Sequence, residues 1–377
     1  MKAFLWILRI VVGGLFIFSG LVKANDPLGL SYKMDEFFEV WHWDAWRAWS
    51  LPLSVVMIGF EIIAGVALLL GYAQRFFAPL LLALITFFTF LTAYVLFSGK
   101  IKECGCFGDC IKISNTETFW KDVALLVMAI VLVIFRKRIR PIFSSHVGTS
   151  LLVLTIFFSF GVQWWVLEHL PFHDCLPYKV GANLYKGTLP PPGSTPEVFE
   201  TVLVYEKNGV KKEFNQNNFP WEDSTWTFVD SKSKLIKEGN ATPAIKDFSL
   251  NDYDGNDHTV EVLTSPGYTF LWFIRNTAKA RTDNMDRLAA LARQARSAGV
   301  PVYALCSATR AEAEAFQKKW HLESMDFLAV DQTASKTAMR TNPGLMLLKD
   351  SVVQHKWSFR DYPKGVTLEG NTLKLQE

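Results

Sequence analysis

Four cysteines carry most of the chemistry this chain could perform. Cys104, Cys106 and Cys110 stand within "KECGCFGDCIKIS", residues 102–114, and Cys175 follows much later. Thiolates attack disulfides and ligate soft metals, so the group has three conceivable uses. As a staple it forms two structural disulfides, and four cysteines admit three pairings. A Cys104–Cys106 bridge would close a very short, strained ring. Pairing either residue with Cys110 closes a loop over Gly105 and Gly108, which permit the necessary turns, and leaves the other to reach Cys175. As a relay, one pair accepts electrons from a client and the other passes them to a membrane acceptor such as a quinone. As a metal site, Cys106-x₃-Cys110 has zinc-like spacing and Cys104-x-Cys106 does not, with His173 or Asp174 as spare donors. The staple is the expectation, the relay its rival, and the metal site ranks third.

Ionisable groups inside apolar runs are a second source of chemistry. Glu61 lies near the middle of "LPLSVVMIGFEIIAGVALLLGY", and Arg9 interrupts "FLWILRIVVGGLFIFSGLV". Charge at such depth is costly and marks either a packing lock or a proton or quinone site. Arg9 can pair with Glu61 only by reaching outward. Asp122 is expected at the outer start of "FWKDVALLVMAIVLVIF", near the cysteine loop, where it could take a proton during thiol chemistry. A carboxylate at a helix N-terminus also needs no such role. Cys306, ending "VPVYALC", reads as a small buried hydrophobe.

The elements that position these groups follow from composition. Half of the 377 residues are hydrophobic and a fifth are charged, with the apolar residues concentrated before about residue 170. A net charge of +3 gives no electrostatic case for nucleic acid. Five runs (4–22, 51–72, 76–97, 119–135 and 149–167) are long enough to be expected as membrane spans. Basic "RKRIRP" and Arg75 then belong to the cytoplasmic side. The cysteine loop, Cys175 and the C-terminal part fall outside, in an oxidising compartment. The expected setting is a bacterial inner membrane, with the lipid bilayer as one partner. Trp41, Trp43, Trp46 and Trp49 suit a helix lying along the headgroups, as an anchor or as a lid over a groove.

The predicted domains are 1–140, a four-helix membrane domain; 141–172, a fifth transmembrane helix; 173–240, a β-rich outer linker; and 241–377, an α/β domain. Within the linker, Asn208-Gly209 predicts a hairpin. Within the last domain, strand-like 268–274 and 300–308 alternate with helical 282–299 and 310–320 before a terminal hairpin at 342–357. This βαβαββ order predicts parallel early strands and an antiparallel last pair. The linker is long enough for this domain to dock over the cysteine loop.

The stretches "LRIVVGGLFIFSGLVK", "FEIIAGVALLLGYAQR", "CGCFGD" and "FWKDVALLVMAIVL" together resemble the DoxX/MauE-type membrane family over roughly residues 1–140. That resemblance implies disulfide chemistry or quinone-linked membrane redox work. "TPAIKDFSLNDYDGND" and Asn342-Pro343, in the place of a cis-proline, resemble a thioredoxin-like domain. Its C-x-x-C is absent, however: "IRNTAKAR" puts Ala278 and Arg281 at the matching spacing. The whole layout is similar to multidomain DoxX-type proteins of Bacteroidota. Two functions remain open. The first is an assembly or scaffold protein with structural disulfides and a redox-dead domain binding a protein partner in the groove beside Asn342 and Pro343. The other is a membrane thiol–disulfide oxidoreductase using Cys104, Cys106, Cys110 and Cys175, with Glu61 or Asp122 moving protons and a quinone as acceptor.

Overall fold

The computed structural model describes residues 2–376 apart from 102, 103, 106, 112, 196, 197, 216, 217, 221, 222 and 238. Helices α1 (Lys2–Ala24), α2 (Pro27–Val40), α3 (Asp44–Arg47), α4 (Ser50–Leu70), α5 (Gln74–Ser98), α6 (Asn115–Ile134) and α7 (Ser145–Glu168) build the N-terminal bundle. Among the described residues, α1, α4, α5 and α7 are long and apolar enough to cross a membrane. Four of the five expected spans are thus among these helices, and the expected span at 119–135, within α6, is not. Glu117, Lys121 and Asp122 occupy the first two turns of α6 and shorten its apolar stretch. That helix instead begins with a capping box, in which Ser114 and Glu117 satisfy each other's backbone N–H groups, and it packs along α5.

Small residues set the closest helix contact. On α1, a Cβ added at Gly13 would lie 3.0 Å from the Gly65 carbonyl of α4, and one at Gly65 would lie 2.9 Å from the Gly13 carbonyl. A Cβ at Gly20 would collide with Ile62 at 2.5 Å. Without a hydrophobic drive between lipid-bathed helices, such close backbone approach supplies the packing energy. The paired positions run in opposite directions, so α1 and α4 are antiparallel. Gly71 closes α4 in the left-handed region at φ 67°, and a Cβ there would strike the Arg140 carbonyl at 2.5 Å.

After α7 the chain becomes an α/β region. Short α8 (Leu184–Thr188) precedes a three-stranded antiparallel sheet of β1 (Val198–Lys207), β2 (Val210–Asn215) and β3 (Thr227–Lys237), in the order β2-β1-β3. Asn208 and Gly209 both have positive φ between the paired Lys207 and Val210, the geometry of a two-residue type I′ hairpin. The third strand was not anticipated, because β3 is polar along most of its length.

The larger sheet has the order β4-β7-β6-β5-β8-β9, formed by β4 (Leu250–Asn251), β5 (Tyr268–Ile274), β6 (Val302–Cys306), β7 (Asp326–Val330), β8 (Gly344–Lys349) and β9 (Val352–Ser358). Strands β5, β6 and β7 are parallel; β8 and β9 are antiparallel. Helices α9 (Thr259–Leu263), α10 (Met285–Ser297), α11 (Arg310–Lys319) and α12 (Gln332–Ala338) connect them. A further hairpin, β10 (Gly365–Glu369) and β11 (Thr372–Gln376), follows, so the hairpin expected at the end is not the last element. Sequence reasoning also missed β4, β7 and α12, all short and weakly patterned. Strand β5 explains its continuous apolar run: Phe270, Trp272 and Ile274 enter one core, while Leu271 and Phe273 enter the other.

The α1–α4 contact makes a direct prediction. Gly65→Val should separate the two helices and lower the thermal midpoint of the detergent-solubilised protein, whereas Gly14→Ala, where an added Cβ meets nothing within 4 Å, should leave it unchanged. Thermal unfolding followed by tryptophan fluorescence reads both.

Candidate functional site

The close approach at Gly20 brings the ends of α1 and the middle of α4 together around charge. Lys23 Nζ lies 2.6 Å from Glu61 Oε1, with the two side chains 3 % and 1 % exposed. Ser19 donates to the other carboxylate oxygen at 3.1 Å. The Lys23 ammonium also sits over the Phe88 ring. Glu61 is thus paired, but with Lys23 and not with Arg9. Arg9 lies two turns away along α4 and donates to the Leu68 and Leu69 carbonyls at the end of that helix, where the Gly71 N–H also reaches Leu68. Sequence reasoning passed over Lys23 because it stands at the end of an apolar run, where a lysine ordinarily snorkels to water.

Asp122 is almost fully buried, not at the surface where α6 was expected to begin, and its carboxylate lies 2.9 Å from Lys121. Lys121 in turn covers the Phe107 ring of the cysteine loop. A space of about 20 Å³, enough for one water, joins the Lys23–Glu61 and Lys121–Asp122 pairs. Beside it a larger cavity of about 270 Å³ opens among Phe37, Phe38, Trp41, Trp46 and Phe87, with Lys23 on its wall and Cys104 and Gly105 at its edge. Trp43, Trp46 and Trp49 are more than half exposed, as membrane-interface residues are.

The cysteines divide differently from any pairing expected. Cys110 is joined to Cys175, with Cα atoms 4.9 Å apart, so the bridge closes no short loop with Cys104. Gly105 and Gly108, both at positive φ, turn the loop so that Cys110 faces the segment after α7. Cys104 points the other way and is buried against Phe37, Val95 and Ile101. Cys106 lies outside the described residues. Of the residues expected as spare metal donors, Asp174 places its carboxylate 2.5 Å from Lys356, and His173 is held through its backbone, which exchanges hydrogen bonds with the Asn25 side chain.

The α/β domain docks on this same end of the bundle. Arg340, 7 % exposed, lies 2.7 Å from Asp26 at the N-cap of α2 and 2.6 Å from Asp109 of the cysteine loop. Burial raises the Asp26 carboxyl above its usual range, against the pull of Arg340. Arg275, the first residue after β5, donates to the Tyr32 hydroxyl, and Lys336, Arg275 and Arg340 all border the Tyr32 ring. Glu168, at the end of α7, receives both Arg281 and Arg360. The Asn342–Pro343 bond is cis. The Asn342 side chain is taken up within the domain, accepting from the Arg275 and Asn276 N–H groups and donating to the Asn276 carbonyl. Pro343 is buried. Tyr32, Asp26 and Arg340 were invisible to motif reasoning, because each is unremarkable until the fold brings them together.

The family model for methylamine utilisation protein MauE matches residues 1–135, the helical part of the chain that holds the buried ion pairs and the cysteine loop. A domain family of unknown function, DUF8463, matches residues 199–238, the span of the three-stranded sheet. No curated protein matches the chain. The N-terminal region is thus similar to the MauE family and carries helices long and apolar enough to cross a membrane, and the region after it is α/β.

Two outcomes follow from this geometry. Lys23→Met should cost about 3–5 kcal/mol in stability, because it strands a buried carboxylate, while Lys23→Met combined with Glu61→Met should recover most of that loss; detergent thermal unfolding of the three proteins decides it. Cys306 is fully buried, and burial pushes its thiol up to about 12. The native protein should therefore resist alkylation at Cys306 at pH 8 and gain reactivity there only on unfolding, as read by peptide mass spectrometry.

Proposed function

We propose that this chain is a membrane accessory protein for the assembly or maintenance of a partner, in which a thioredoxin-like domain without a cysteine pair caps the bundle. The observation that carries this reading is the position of Arg275 and Arg340. They lie on the face where a redox-active relative would present its C-x-x-C to a client, and they are bound to Tyr32, Asp26 and Asp109 of the chain's own membrane half. The thioredoxin-like assignment is supported by the β9-β8-β5-β6 order, by the parallel β5–β6 pair and by the cis-proline before β8. Without a nucleophilic thiolate at the start of α10, this domain has no route to dithiol exchange.

In this reading the protein sits in a bacterial inner membrane. Arg75 and the basic segment Arg136–Arg140 remain cytoplasmic, α6 makes a fifth crossing beside α5, and the cysteine end with the α/β domain faces the periplasm. Cys110–Cys175 lies there, in a compartment where disulfides form. The partner is a protein of that membrane or compartment. The groove beside Asn342 and Pro343 serves it only when Arg340 leaves Asp26 and Asp109.

One observation favours the second reading, a thiol–disulfide oxidoreductase. The aromatic cavity of about 270 Å³ has Cys104 at its edge and Lys23 on its wall, a place where a quinone ring fits between thiol and ammonium. Glu61 and Asp122 would then carry the protons.

Vesicles containing the full chain, a water-soluble dithiol and a membrane quinone distinguish the two. The accessory reading expects quinone reduction no faster than with the Cys104→Ser variant. Turnover that depends on Cys104 overturns it in favour of the oxidoreductase.

A further inference from the structure

The chain contains two Asp-Cys dipeptides, Asp109-Cys110 and Asp174-Cys175, and the disulfide joins them to each other. Each aspartate anchors a different buried cation of the α/β domain: Asp109 meets Arg340 at 2.6 Å, and Asp174 meets Lys356 at 2.5 Å. Both cations are 7 % exposed and belong to opposite flanks of the β8 strand, Arg340 just before it and Lys356 on its partner β9. The bridge therefore holds two carboxylates, contributed by two distant segments of the membrane half, at the spacing that one rigid sheet edge requires. With the bridge intact, the second ion pair forms within an already assembled unit, at high effective concentration. With the bridge open, the loop between α5 and α6 and the segment after α7 lose their covalent tie, and the Asn25–His173 hydrogen bonds hold the second segment to the turn between α1 and α2 but not to Asp109.

The bridge is also reachable. Cys110 is exposed, and a cleft of about 410 Å³ beside Cys175 is bordered by Asp174, Arg340 and Lys356. We propose that Cys110–Cys175 is a redox-operated clasp: oxidised, it locks the α/β domain onto the bundle; reduced, it lets the Arg340 edge open. The reductant is a dithiol. Its thiolate attacks one sulfur of the bridge to form a mixed disulfide, and its second thiol displaces the remaining cysteine. Two electrons and two protons pass to Cys110 and Cys175, which leave as thiols, and the dithiol leaves as its own disulfide.

The opening is hinged. Glu168 with Arg281 and Arg360, and His169 with Asp361, lie at the end of α7 and do not involve either half-cystine. Reduction therefore frees the edge that covers Asp26 and Tyr32 while the α7 side still holds. What it uncovers is the face carrying Arg275, Lys336 and Arg340. This device goes beyond the accessory role and is independent of whether that role or the oxidoreductase is correct, because it concerns docking and not turnover.

Hydrogen exchange on the full chain in lipid nanodiscs tests it. Samples are the oxidised protein, the dithiol-treated protein with opening of the bridge verified by alkylation, and the untreated Cys110→Ser/Cys175→Ser variant. The expected result is loss of protection in α2 and in residues 332–341 in both bridge-free samples, with α10 and β5 unchanged. Unchanged protection of α2 and 332–341 with the bridge open overturns the clasp and leaves an inert staple. Loss of protection throughout the α/β domain, α10 included, overturns it as well, since the bridge would then support folding and not docking. Should the double variant fail to fold, the dithiol-treated natural sequence carries the same decision.

Discussion

The arrangement depends on one buried guanidinium. Arg340 leaves the α/β domain just ahead of β8 and is held by Asp26 from the helical half and Asp109 from the cysteine loop, while its third contact returns to the Lys336 carbonyl. Removing such a charge from water is costly unless every donor is met, and an arginine meets several acceptors at once through its planar fork. Three segments that have no other reason to converge are therefore fixed to one point. The Cys110–Cys175 bridge stands immediately beside that point, so covalent and electrostatic constraints act on the same loop.

Inside the bundle the same logic works at smaller scale. Gly13, Gly20 and Gly65 let two backbones approach, and that approach places Lys23 against Glu61. A bulkier seam would hold the ammonium away from the carboxylate and leave both charges uncompensated in an apolar medium. Arg9 solves a different problem with the same side-chain chemistry, since it closes the carbonyl end of α4. The two buried cations of α1 thus have separate duties, one toward a side chain and one toward a backbone.

The α/β domain gains a meaning that its sheet alone does not convey. Its Arg275, at the end of β5, donates to the hydroxyl of Tyr32 in the bundle. With Arg340 on Asp26 and Asp109, this face of the domain is part of an internal interface. The aromatic cavity has Cys104 and Gly105 of the cysteine loop in its lining. One loop thus contributes Asp109 and Cys110 to a polar interface and Cys104 to an apolar pocket, which is why the two functional readings attach to different cysteines.

What the sequence determined by itself is local. The apolar runs of α1, α4, α5 and α7, the Asn208-Gly209 hairpin and the doubly buried strand 268–274 were all legible, because each depends on neighbours within a few residues. The charges in the first turns of α6 were equally visible, yet they were outweighed by the apolar residues that follow. What only the tertiary structure decided is pairing. Cys110 with Cys175, Lys23 with Glu61 and Arg340 with Asp26 join positions 65, 38 and 314 residues apart. No periodicity encodes such partners, because a buried charge or thiol takes whichever complementary group the packing of whole helices and sheets delivers to it.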